Sequence, residues 1–578
     1  MEPFLVAALV RVSMFLLPYD VGLGSTDKYG DFEAHRVWQV TTTSQPLAAW
    51  YTHELLYWGL DYPPLFAYFS YCLGSVASVL CPELLTGGRG YCSRLDTLPG
   101  CAPTWLFMRA SVALLDGLTL FPAAYLLTRQ LGAPPRATAL ALLLLLLHPA
   151  QLLIDHGHFQ YNGGAIGLAL LAASQMQQRP LLSAALFTLA LNLKHTAIYY
   201  APVFLALLLA QAVLGFGAWW PARTPCHSLA RVAALAASVL ATMAALWLPF
   251  CLQQPQGQCL AGLAAVATRL APLDRGLYED TVANLWYATE SLTHLQRDHF
   301  PPTHDGANAS SPHLSPAYRA MALACTAASV LLAAPSLLLL WRAAMLTAGG
   351  TTTAATRSSR NSSSSSSLTP HLLLTLHSSA LAFFLASFHV HEKAVLFSAL
   401  PLALLAPRLP SGMAQEFMLL SVASMGTLLA RDGLLPLAAM LCSAHVLLGE
   451  LAVAAEGQRG VGAAAAQAAS SPATPAWPLA SRLALLLHSY MRPAWAAALA
   501  LVAGGALVVA PPPGLPHLFS KLNATLCAAG LLGHLLWALW VQLQWVQALP
   551  EAQQEAQPVA RAAARRGRRG SSSHAHAQ

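Results

Sequence analysis

Apolar runs close to the length of a bilayer recur from one end of this 578-residue chain to the other. A helix rises ~1.5 Å per residue, so ~20 apolar residues cross ~30 Å of hydrocarbon. Runs approaching that length lie at 4–19, 106–128, 137–154, 163–176, 181–193, 199–220, 230–252, 319–347, 371–390, 394–407, 415–430, 433–454, 493–511 and 524–547. Only 10% of the residues are charged, against about 25% in a soluble domain. The expected fold class is an all-α polytopic membrane protein with about 12–14 transmembrane helices, because a helix satisfies its own backbone in lipid. The run at 181–193 is short and reads as a broken or tilted helix.

The first run does not read as a removable signal peptide, since it lacks a basic start and Arg11 interrupts it. An arginine inside an apolar run points to function by default, although pairing with a neighbouring helix or snorkelling explains it more simply. The net charge of +7 does not imply nucleic acid. Much of it lies in short loops and in Arg561, Arg565, Arg566, Arg568 and Arg569 of the tail, where it acts as an orientation signal. The ten cysteines contain no CxxC pair, which argues against a zinc or redox site. Cys81, Cys92 and Cys101 share one loop and Cys251 and Cys259 another, and a secretory lumen would allow either set to oxidise.

Orientation gathers the polar motifs on one side. Counting from a cytosolic start, one set of loops holds Arg129 and Arg136, Arg179, Arg223 and Arg231, Arg342, Arg357 and Arg360, Arg408, Arg459 and the basic tail. The positive-inside rule puts this set in the cytosol. The other set, at 20–105, 155–162, 194–198, 253–318, 391–393, 431–432 and 512–523, then faces a lumen or the exterior. The first of these loops is far longer than a connector needs, and its Trp38, Trp50, Tyr51, Tyr57, Trp58 and Tyr62 argue against disorder. The sequons at Asn308 and Asn523 fall on the lumenal side and that at Asn361 on the cytosolic side. The chain therefore divides into a transmembrane module over 1–454 with lumenal loops 20–105 and 253–318 and a Ser-rich cytosolic linker 348–369. A low-complexity linker 455–492, C-terminal spans over 493–547 and an Arg-rich tail 548–578 follow.

Every dense cluster of chemistry-bearing residues falls in the lumenal set. Asp31 and Glu33, beside His35 and Arg36, suit a general base or a cation site at a membrane edge; a solvated acidic turn is the plainer reading. Asp61 follows Tyr57 to Leu60 and precedes Tyr62, Pro63 and Pro64, a rigid turn in which aromatic faces and a carboxylate suit a sugar, or an interfacial aromatic belt. Asp155, His156 and His158, with Gln160, Tyr161 and Asn162, lack the usual zinc spacing and read as a hydrogen-bonding loop. Lys194 and His195, then His389, His391 and Lys393 with Glu392 beside it, offer cations at span ends that suit a lipid phosphate, or simple snorkelling. Arg275, in the loop running to Asp280, is a further cationic centre. Acids and histidines near spans also mark ion-coupled transporters, but here they lie at span ends and no internal repeat is visible.

Taken in order, these segments resemble the endoplasmic-reticulum glucosyltransferases that extend the dolichol-linked oligosaccharide, enzymes of the GT-C class. The matching stretches are Tyr29 to Arg36 with Trp38, Tyr57 to Leu65, Leu153 to Asn162, Arg275 to Trp286, and Val390 to Lys393. The resemblance implies a GT-C-type fold with a long first lumenal loop, an endoplasmic-reticulum membrane location and a lumenal active site. Dolichyl phosphate glucose is the implied donor and a mannose-rich dolichyl pyrophosphate oligosaccharide the acceptor. The implied reaction is inverting α-1,3 transfer, with Asp31 as the base and no metal or other cofactor. Glu33, Arg36, Asp61, Tyr62, His156, His158, Gln160, Tyr161, Asn162, Arg275, His391, Glu392 and Lys393 are the implied substrate-binding residues. YWGLDYPP at 57–64 and the stretch 275–286 favour the branch adding the first glucose. LKH at 193–195 and FHVHEKA at 388–394 lean towards the branch adding the second.

Overall fold

Polar motifs interrupt several of the apolar runs, and at 152–162 and 387–395 the helices change form or break. The computed structural model describes residues 2–15, 30–53, 59–86, 101–132, 134–214, 225–255, 257–270, 276–295, 316–349, 368–410, 412–460, 502 and 509–574. Arg275, Cys92, Tyr29, Tyr57, Trp58, the sequons at Asn308 and Asn361 and the linker residues 351–367 and 461–492 lie outside them. Among the described residues, seven helices are long and apolar enough to cross a membrane: Pro103–Leu131, Pro135–Phe159, His195–Leu214, His227–Leu252, Arg319–Thr347, Thr369–Ala386 and Leu518–Leu549. Shorter apolar helices at Pro64–Leu80, Pro180–Leu193, Cys259–Leu270 and Leu435–Glu450 pack among them. The run at 163–176 folds as the 14-residue helix Asn162–Gln175, about 21 Å long and short of the ~30 Å hydrocarbon core. These are the helices of a multi-pass membrane protein.

Thr369–Ala386 is the centre of the bundle, with every one of its residues buried. The Pro316–Gly349, Leu396–Leu404 and Leu518–His574 helices surround it. By contrast, Leu229, Leu240, Leu331 and Leu338 stand exposed on the outer His227–Leu252 and Arg319–Thr347 helices. Apolar surface of that extent is stable against lipid rather than water.

Two local features position the functional end. Past Pro149 the helix widens into a π-helical stretch, Leu152–Phe159, a form that recurs at functional sites. It ends at Phe159, whose φ of 86° lies in the left-handed region that non-glycine residues rarely adopt. The wider spacing turns Asp155, His156 and His158 to three different partners. Asp155 accepts from the backbone N–H groups of Asn162 and Gly163 and so caps the Asn162–Gln175 helix. Gly163 carries no Cβ because Asp116 Oδ1 occupies that space. The second feature is the helix Asp31–Ser44, which packs on Pro64–Leu80 and holds His35, Trp38, Tyr62 and Phe66 in one aromatic cluster. Cys251 and Cys259 form a disulfide, whereas Cys81 is a buried free thiol.

Candidate active site

Asp31 sits at the first position of its helix, where the exposed backbone N–H groups favour a negative charge. Its Oδ2 accepts from Lys393 Nζ at 2.5 Å, Gln160 Nε2 at 2.6 Å and His158 Nε2 at 2.8 Å. The other ring nitrogen of His158 lies 2.5 Å from Asp432 Oδ2. A ring that donates to a carboxylate at both nitrogens is an imidazolium, so His158 bridges two acids. Lys194 donates to Gln160 Oε1 at 3.0 Å and Asn162 Oδ1 at 2.7 Å, and its ammonium stands 5.1 Å from the Tyr62 ring centroid. Tyr62 donates to the same Gln160 oxygen at 2.9 Å.

The cluster draws on five loops that the charge pattern assigns to one side: 20–105, 155–162, 194–198, 391–393 and 431–432. Loops of the arginine-bearing set meet elsewhere. There Arg408 donates to Leu131 O, Gln130 to Ser174 O at 2.6 Å and Gln177 to Thr369 Oγ1 at 3.3 Å.

The electrostatics are uneven. Burial alone would raise the Asp31 carboxyl, but Lys393 and His158 outweigh it and hold Asp31 well below the usual carboxylate range. Burial, followed by repulsion from Lys393, brings Lys194 down to about 8. Burial pushes Glu392 up against the attraction of Lys393. The Asp31 side chain nevertheless keeps 27% of its surface exposed and Lys393 keeps 15%. A negatively charged oxygen and an ammonium thus lie together at a partly exposed position.

The model of the ALG6, ALG8 glycosyltransferase family matches residues 7–540 of this chain. The chain belongs to this family. A Gallus gallus relative, dolichyl pyrophosphate Man9GlcNAc2 alpha-1,3-glucosyltransferase, is 35% identical over 439 residues, covering 75% of this chain and 74% of the relative. A Drosophila melanogaster protein described as probably the same enzyme is 34% identical over 435 residues, 74% of this chain and 78% of the relative. The Saccharomyces cerevisiae enzyme of that name is 37% identical over 293 residues, half of each chain.

Within the family frame, the residues singled out in the sequence separate into layers. Asp31, His158, Gln160, Lys393, Tyr62 and Asn162 join the cluster directly or through one partner. Asp61 lies close enough to act on the charge of Lys194 and Tyr62. Glu33 and Arg36 pair with each other through two bonds of 2.7 Å, and Arg36 also donates to Leu84 O at 2.6 Å. His156 lies beneath the site, 2.9 Å from Asp116, and Tyr161 bonds Ser111 at 2.6 Å. Glu392 is buried next to Lys393, and His391 pairs with Glu279 at 2.6 Å.

Sequence reading did not single out Asp432, Asp116, Arg109 or Gln151. Arg11 and Gln151 both bind Asp116, while Arg109 donates to His156 O and Gly157 O and so holds the π-helical stretch. An acid within the apolar run 106–128 was the available signal for Asp116, because a charge in lipid calls for a partner. Asp432 gave none beyond its place in a short turn of the same loop set.

Proposed function

We propose that this glycosyltransferase moves glucose from dolichyl phosphate glucose to a mannose-rich oligosaccharide on dolichyl pyrophosphate, at the lumenal face of the endoplasmic-reticulum membrane. The observation that carries this reading is the partly exposed Asp31–Lys393 pair, which sets a base beside a cation suited to phosphate. The hydrogen bonds on Asp31 fall on Oδ2, so Oδ1 is the atom for the acceptor hydroxyl. In an inverting displacement that hydroxyl loses its proton to Asp31 while its oxygen attacks the anomeric carbon. The bond from that carbon to the phosphate oxygen breaks, and dolichyl phosphate leaves with the electron pair. Lys393, with Lys194 behind it, opposes the charge that develops on the leaving phosphate.

Asp31 pinned by Lys393 and His158 is a weak base. A donor phosphate arriving at Lys393 competes for the ammonium and loosens that hold as the acceptor arrives. A phosphate monoester leaves readily, so the reaction in this reading needs no metal, and EDTA leaves its rate unchanged. The Cys251–Cys259 disulfide supports an oxidising compartment for its loop. It sits in the same loop set as Asp31.

The first glucose is the favoured step. The acceptor in the relatives' names, Man9GlcNAc2, contains no glucose. The motifs 57–64 and 275–286 point the same way, while LKH at 193–195 and His389 favour the second. The purified chain, given dolichyl phosphate glucose with unglucosylated or monoglucosylated acceptor, is expected to extend the unglucosylated one. Extension of only the monoglucosylated acceptor would reassign the step, and extension of neither would refute the reading.

A further inference from the structure

Beyond the Asp31 cluster, two short segments assemble a second constellation. A single parallel bridge joins Tyr278 to Val390. Glu279 N donates to Val390 O at 3.2 Å and His389 N to Leu277 O at 2.8 Å. His389, which lies in a bend, and His391, on the far side of Val390, both reach Glu279. Glu279 Oε2 lies 2.6 Å from His391 Nε2 and 3.4 Å from His389 Nε2. The ligand atoms of all three side chains fall within 4.8 Å of one another.

The tautomer of His389 gives this grouping its meaning. Its Nδ1 is 3.1 Å from Gly276 O, a carbonyl that can only accept, so Nδ1 carries the hydrogen. In the neutral ring the lone pair then sits on Nε2, facing a carboxylate oxygen. A proton or a metal ion between Nε2 and that oxygen would join the two. Donation of the far ring N–H to a carbonyl is also how metal-bound histidines are usually held. The backbone supports the placement at a conformational cost, since His389 has φ 52°.

We propose that Glu279, His389 and His391 form a binding site for a transition-metal dication, with zinc the best fit. Two imidazoles and a carboxylate are an established three-ligand set for zinc, with water in the fourth position. Ligands ~2.1 Å from a tetrahedral ion stand about 3.4 Å apart, and small side-chain rotations bring these three to that spacing. Magnesium and calcium take oxygen ligands and fit poorly. Glu279 and His391 are 43% and 38% exposed, which admits an ion, while His389, at 6%, forms the floor. The absence of CxxC pairs says nothing about such a cysteine-free site. The metal would clip the 276–282 segment to the segment carrying Lys393, and no step of glucose transfer passes through it.

The test uses the full-length protein, purified without a polyhistidine tag, stripped of metal and titrated with Zn²⁺ against a fluorescent chelator. About one equivalent is expected to bind at micromolar affinity or tighter. Co²⁺ in its place is expected to give the intense visible bands of a tetrahedral ion. His391→Ala and the milder His389→Gln, which keeps a donor for Gly276 O, are each expected to weaken binding at least tenfold. His517→Ala, at an exposed position remote in sequence, should bind as the parent does. Failure of the parent to bind, or equal binding by parent and both site variants, would overturn the proposal. Elution of each variant as a single species in gel filtration excludes misfolding as the cause of a loss.

Discussion

Two buried-end ion pairs in this molecule use the same chemistry to opposite ends. Arg11 and Asp116 meet at 2.8 Å with each side chain only 1% exposed. Gln151 and His156, each at 2.9 Å, complete the shell of Asp116, and Arg11 also donates to Leu146 O at 2.8 Å and Gln151 Oε1 at 3.0 Å. Asp31 and Lys393 meet at 2.5 Å but keep 27% and 15% of their side-chain surface exposed. The first pair is enclosed and multiply bonded, and it ties the first helix to the stretch leading into the π-helical turn. The second is tied on one oxygen only and opens to the side where the loops bearing Asp31, His158, Lys194 and Lys393 meet. Degree of closure, rather than the kind of residue, separates a structural pair from a candidate reacting one.

That comparison can be broken at either pair. The largest expected effect is on chemistry: Asp31→Asn removes the base and should lower transfer by roughly 10²–10⁴-fold while leaving the amount of folded protein unchanged. Transfer at near-parental rate would remove Asp31 from the role. Asp116→Asn should do the reverse. It leaves Arg11 buried without its counter-charge, a loss of roughly 3–5 kcal/mol, so folded yield drops while each surviving molecule keeps most of its activity. Detergent-resistant yield and transfer per folded molecule, measured on both variants, separate the two outcomes. A smaller effect sharpens the picture of the open site. Lys194, brought down to about 8 by burial and by Lys393, carries its charge below that pH and loses it above. Donor affinity is therefore expected to fall severalfold as pH rises through about 8. Lys194→Arg, which stays charged at these pH values, should move that fall to higher pH; an unchanged profile would separate Lys194 from phosphate binding.

Much of this arrangement was legible in the sequence, and for a physical reason. Membrane insertion forces apolar runs and a one-sided bias of arginines, so loop parity alone predicted that Asp31, His158, Lys194 and Lys393 share a side. The structure brings His158, Lys194 and Lys393 within two hydrogen-bonding steps of Asp31. Breaks within helices were less legible. The π-helical stretch Leu152–Phe159 straddles the end of an apolar run and the polar Asp155 to His158, and hydropathy does not register backbone winding. Partners distant in sequence were also hidden: Asp432 reaches His158 across 274 positions, a proximity fixed by helix packing that no local pattern encodes. Glu33 and Arg36 show the converse. Their spacing resembles a site, yet a separation of three residues on one helix also lets them bind each other.

The most direct test is a cryo-electron microscopy structure of the chain with dolichyl phosphate glucose bound. The donor phosphate is expected about 3 Å from Lys393 Nζ, with Asp31 released from that ammonium and its Oδ1 facing the acceptor side of the sugar. A phosphate seated instead at the opposite end, among Gln130, Gln177 and Arg408, with the Asp31–Lys393 contact intact, would contradict it.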